Sequence, residues 1–129
     1  MRMKKQVIIL PDVKKPSTGF NHVVRVGNLL FLSSQLSTNL KTGEIIQGTI
    51  QEQTKRTMDN IQYLLLQCGC GMDNIVKIVI YFRNVKDRKE INEIYKKYFT
   101  LGQEPAKVSV QAPSPVPGID VEIEAIATI

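Results

Sequence analysis

A cation and a carboxylate stand on two strand-like apolar runs in the last quarter of this chain. Lys107 lies in Pro105-Ala106-Lys107-Val108-Ser109-Val110, and Glu122 in Val121-Glu122-Ile123-Glu124-Ala125-Ile126-Ala127. Such runs normally bury their side chains, and a charge placed there needs a partner or a task. Lysine and glutamate are groups that hold opposite charge or handle protons. The two segments, joined by a proline-rich loop, read as neighbouring strands. His22 is a third candidate, as an acid or base near Phe20; at the start of a strand, a hydrogen-bonded structural role is the simpler reading. Cys68 and Cys70 form a lone C-x-C without the second ligand pair of a zinc site, so they read as small hydrophobes at a helix end.

Periodicity supplies the elements that must position these residues. Lys5 to Leu10 reads as a first strand. His22 to Val26 and Leu29 to Ser34 read as a hairpin closed by Gly27-Asn28. A turn over Asn39 to Gly43 leads into Glu44-Ile45-Ile46. Thr49 with Glu52 makes a capping box for a helix to Gln67, with Ile50, Thr54, Met58, Ile61, Leu65 and Cys68 as its buried stripe and Gly69 just past its end. Ile75 to Phe82 is a β-branched strand. A second helix is predicted from Asp87, capped with Glu90, its apolar face being Ile91, Ile94, Tyr95, Tyr98 and Phe99; Tyr81, Tyr95 and Tyr98 read as core and interface. Lys107 to Gln111 and Ile119 to Thr128 are the last strands. The order β-β-β-α-β-α-β-β predicts one α+β domain over residues 1–129, a mixed sheet with both helices on one face. The second sheet face is also apolar, and association of subunits is the simplest way to cover it.

Composition narrows the classes. The chain has 129 residues, 43% of them hydrophobic and 22% charged, which suits one ordinary globular domain. No apolar run approaches a membrane span, and the run behind the basic Met1-Arg2-Met3-Lys4-Lys5 stops at Pro11-Asp12, too short for a signal-peptide core. A cytoplasmic protein is expected. Seventeen basic against twelve acidic residues give +5, but the basic residues are scattered along the chain rather than clustered on one face, which argues against nucleic acid as the partner.

Taken in order, a set of short motifs resembles the Rid family (reactive intermediate deaminases, also called YjgF or L-PSP proteins) over nearly the whole chain. They are Val26-Gly27-Asn28-Leu29-Leu30-Phe31, Ser33-Ser34-Gln35, Thr42-Gly43-Glu44, Gln53-Thr54 with Asn60, Asp73-Asn74-Ile75-Val76-Lys77, Asn92-Glu93-Ile94-Tyr95 with Phe99, Pro105-Ala106, and Val121 to Ala127. The resemblance implies a chorismate-mutase-like fold, with a six-stranded mixed sheet and two helices on one face. It also implies a homotrimer with ligand clefts between subunits. The implied activity is hydrolysis of 2-imino or enamine acids, released by pyridoxal-phosphate enzymes, to 2-keto acids and ammonia, with no cofactor and no metal. By the same resemblance Lys107 grips the substrate carboxylate and Glu122 orients or activates water. Backbone around Ser33-Ser34 and along Lys107, Val108 and Ser109 contacts the substrate, and Asn92 and Phe20 line the cleft. Alternation points Glu122 and Glu124 the same way, either to share that cleft or to lie on its floor and rim.

The chain departs from the family pattern at several of these positions. The family's arginine, a planar fork for a carboxylate, is Lys107 here, a point charge without a fixed plane. Gly-Pro-Tyr-Ser becomes Gly19-Phe20-Asn21-His22, Ser-Gly-Gln becomes Ser33-Ser34-Gln35, a frequent cysteine becomes Ser109, and the loop from Phe99 to Pro105 is shorter. Three functions follow as alternatives: a weak or specialised imine deaminase, a non-catalytic module binding small 2-keto or amino acids, and an endoribonuclease or translation inhibitor. The last has only net charge behind it and lacks a histidine pair.

Overall fold

The computed structural model describes residues 3–129, so the first two residues of the basic N-terminal stretch lie outside it. Six strands form a single mixed sheet in the order β1-β2-β3-β6-β4-β5, where β1 is Lys5–Val7, β2 Val23–Val26, β3 Leu29–Gln35, β4 Ile75–Phe82, β5 Ala106–Gln111 and β6 Val121–Thr128. All pairs are antiparallel except β4 with β5. Helices α1 (Ile50–Gln67) and α2 (Arg88–Tyr95) pack together against one face of the sheet. The expected element order and fold class hold. The expected first strand is shorter than the sequence suggests: after Ile8 donates to the Val23 carbonyl, the chain leaves the sheet ahead of Pro11.

Local chemistry explains the boundaries. Thr49 and Glu52 cap α1 reciprocally, each side chain accepting the other's backbone N–H. Gly69, at φ +80°, lets Cys70 N–H and Gly69 N–H return to the carbonyls of Leu65 and Leu66 and close the helix. The capping box expected for α2 does not form. Asp87 ends a tight turn over Val85–Asp87 with helical dihedrals, so its side chain is not aimed at the first-turn N–H groups. The Gly27-Asn28 hairpin is present, with positive φ at Gly27 alone.

The sheet's alternation separates two faces. Leu30, Leu32, Ile78, Ile80, Ile123 and Ala125 face the helices and are buried with Met58, Ile61, Leu65 and Ile91. The opposite face carries Phe31 paired with Ile126 and, two residues along β4 from Lys77, Val79 paired with Val108, with Phe31 41% and Val108 43% exposed. No element of the described chain covers them.

One buried polar side chain ties the layers together at the site. Gln53 of α1 is 1% exposed. Its Nε2 donates to the carbonyls of Gly48 and Gly118, and its Oε1 accepts from Asp120 N–H at 2.8 Å. It thus anchors the loop of residues 112–120 that leads into Glu122. Replacing it leaves those backbone groups buried and unpaired. Gln53→Leu should lower unfolding stability by about 1–3 kcal/mol in chemical denaturation despite similar volume; an unchanged midpoint would show that the loop is held otherwise.

Candidate functional site

The sheet divides the expected site residues into two clusters. Strand β4 lies between β5 and β6, so the segments of Lys107 and Glu122 are not neighbours, contrary to the reading of the sequence. Lys107 sits beside Ile78 and Glu122 beside Tyr81, positions of opposite parity on β4, so the cation and the carboxylate project from opposite faces. The sequence carries no signal for this, because the parallel partner of β4 can be assigned only in three dimensions.

The cation cluster lies at the edge of the sheet, where β5 meets α2. Lys107 Nζ donates to Asn92 Oδ1 at 2.5 Å and stands 4.7 Å from the centre of the Tyr95 ring. Desolvation, aided by the charge of Arg88, lowers the Lys107 pKa from its ordinary value. Tyr95 is itself pushed up to about 12, first by burial and then by Glu104, so it stays a neutral phenol presenting its ring face. Ser109 follows Lys107 on the same strand face, while Val108 points to the open face. Tyr95 is a contact missed by the sequence reading, although its place one turn beyond Asn92 on an amphipathic helix is visible in retrospect.

The carboxylate cluster lies on the other side. Pairing of β3 with β6 slips between Leu32 and Gln35, forming a bulge at Ser33-Ser34 that releases this backbone from its pairing with β6. Ser33 is turned inward, its N–H going to the His22 carbonyl and its Oγ to the Asn21 carbonyl. Ser34 remains free to line a cavity of about 190 Å³ with Tyr81, Pro113, Ser114, Asp120 and Glu122. Ser34 also lines an adjoining depression with Phe20, His22 and Val116. The Ser114 hydroxyl donates to the Glu122 carboxylate and accepts the Val116 N–H at 3.0 Å. Glu124 is on the same face as Glu122, as expected, but its carboxylate accepts from the Tyr81 hydroxyl, which raises the Tyr81 pKa. Ser114 was not anticipated; its only signal is its place between Pro113 and Pro115.

His22 has a structural setting. Gln35 is 2% exposed, and its Nε2 lies 3.2 Å from His22 Nδ1 and also donates to the Ser33 carbonyl. This assigns Nδ1 as an acceptor and the ring as neutral. Burial lowers the His22 pKa, opposed by a hydrogen bond to the Lys14 backbone. Cys68 and Cys70 are free, packed against the core, with thiol pKa values raised by desolvation. Among the described residues, no group of three or more His, Cys, Asp and Glu side chains converges as a metal site, and no helix is long and apolar enough to cross a membrane.

The fold recurs in known proteins. A family model described as Endoribonuclease L-PSP matches residues 12–129. The chain belongs to the Rid/L-PSP family. A RutC family protein of Pyrococcus abyssi is 35% identical over 125 residues, covering 97% of this chain and 98% of the relative. A protein of Mus musculus named 2-iminobutanoate/2-iminopropanoate deaminase is 32% identical over 121 residues, covering 92% and 89%. The solved structure of the Rid-family protein YyfA from Yersinia pestis, of unknown function, superposes with a TM-score of 0.89 at 31% identity, covering 98% of this chain and all of that one. Within this Rid-family chain, the bulge at Ser33-Ser34 and the β5–α2 edge are the two places where the expected site residues gather.

The setting of His22 predicts a pH dependence. A histidine whose folded pKa lies below its unfolded value takes up a proton more readily when the chain unfolds. Its contribution to stability is therefore present above about pH 6.5 and declines as the pH falls below that value. The melting temperature should drop between pH 7 and 5, and His22→Asn should flatten that drop; an equal slope in both proteins would assign the dependence elsewhere.

Proposed function

We propose that this protein is a homotrimer that binds small 2-imino and 2-keto acids in clefts between subunits and hydrolyses the imines to 2-keto acids and ammonia. The observation that carries this reading is the division of the site residues. One subunit presents Lys107 and Asn92 at an exposed sheet edge and Glu122 with Ser34 on the other face, so neither cluster alone can hold both ends of a substrate. The uncovered apolar face around Phe31, Ile126 and Val108 supports association that would bring the edge of one chain to the open face of the next. Relatives named for 2-iminobutanoate and 2-iminopropanoate support the ligand class.

The chemistry follows from these groups. Lys107 holds the substrate carboxylate, with Asn92 and the Tyr95 ring fixing the ammonium in place. Glu122, oriented by the Ser114 hydroxyl, accepts a proton from water as its oxygen attacks C2. Glu122 passes that proton to the nitrogen of the tetrahedral adduct and then carries the adduct's hydroxyl proton to the same nitrogen, so that the C–N bond breaks and ammonia leaves as the carbonyl forms. The reaction consumes one imine and one water and needs no redox partner. The point charge of Lys107 favours slower turnover than a bidentate clamp would give.

This reading is tested by generating 2-iminobutanoate in situ and following keto-acid release. Wild type should accelerate release, Glu122→Gln should abolish the acceleration, and Lys107→Arg should raise kcat/KM by about ten- to a hundredfold. Sedimentation should give the mass of three chains. If wild type and Lys107→Arg both leave the buffer rate unchanged while 2-keto acids still raise the melting temperature, the protein is a binding module and the hydrolytic reading fails.

A further inference from the structure

The cation cluster contains a second positive side chain that the proposed reaction does not use. Arg88, Asn92 and Tyr95 are spaced four and three residues apart on α2, so they form one stripe along the helix. Two members of the stripe touch Lys107, through the Asn92 carboxamide and the Tyr95 ring. Arg88 therefore stands about one turn, roughly 5.4 Å of helix rise, from the residue that holds the lysine. It is near enough for its charge to act on the Lys107 ammonium.

Two cations so placed repel each other unless an anion accompanies them. Among the described residues neither has one: the ion pairs join Lys55 to Asp59 and Arg83 to Asp120. Glu104, whose charge reaches Tyr95, accepts the Gly102 N–H at 2.7 Å. The uncompensated pair thus leaves room at the β5–α2 edge for two negative charges.

We infer that the preferred ligands are dicarboxylic 2-imino and 2-keto acids of four or five carbons, with the C1 carboxylate on Lys107 and the distal carboxylate on Arg88. A carbon chain of that length sets its carboxylates about one helical turn apart. The guanidinium of Arg88 offers the distal carboxylate the planar two-donor contact that Lys107 cannot provide. This inference rests on the cleft and the ligand class proposed above and narrows that class.

Calorimetric titration of the intact protein with 2-oxoglutarate and with 2-oxopentanoate, the same chain without the second carboxylate, tests it. Wild type should bind 2-oxoglutarate at least about tenfold more tightly. Arg88→Gln should abolish that preference. Lys89→Gln removes the same charge from the adjacent position, which faces a groove beside α1, and should retain the preference. Equal affinities in wild type, a preference that survives Arg88→Gln, or equal losses in both variants would overturn the inference while leaving the 2-keto acid cleft in place. Binding of neither acid would overturn both.

Discussion

The alternation of side chains along a β-strand is the constraint on which the rest of this structure depends. Ile78 and Tyr81 on β4 face opposite sides of the sheet, and Lys107 and Glu122 inherit those sides through backbone pairing. A single sheet with helices on one side cannot bring such residues together within one chain. It can present them as complementary edges to another copy. The uncovered apolar face, the exposed β5–α2 edge and the bulge at Ser33-Ser34 have a common explanation in that geometry.

Each cluster is held by contacts that orient it. Lys107 is pinned between a carboxamide and an aromatic ring, which favour a charged ammonium, while desolvation and Arg88 oppose it. Glu122 is oriented by Ser114, whose loop is in turn anchored to α1 by Gln53. Gly118, at φ +81°, lies within that loop, and a Cβ there would come 2.8 Å from Gln47 Nε2. The helix layer therefore serves the site twice: α2 supplies the residues that hold the cation, and α1 supports the loop that aims the carboxylate.

Much of the fold was legible in the sequence because local and global signals agreed. The capping box at Thr49, the glycine at the end of α1, the Gly27-Asn28 hairpin and the β-branched run of β4 each act within a few residues. The second capping box failed because dihedrals set by the preceding turn overrode a correct residue pattern at Asp87 and Glu90. The candidate residues could be named from the sequence, but their arrangement could not. That β4 separates the strands of Lys107 and Glu122 is a long-range fact, and the contacts of Tyr95, Ser114 and Arg88 depend on which elements meet rather than on any motif.

The central claim is that one functional cleft takes its cation from one chain and its carboxylate from another. Subunit complementation tests it most directly. Lys107→Ala and Glu122→Gln proteins, each inactive alone, are mixed, dissociated and reassembled, and imine hydrolysis is measured. Mixed assemblies contain clefts in which an intact Lys107 meets an intact Glu122 from a neighbour, so activity should return to a fraction of the wild-type level. A reassembled mixture as inactive as either parent, with exchange of subunits verified by mass, would contradict the account.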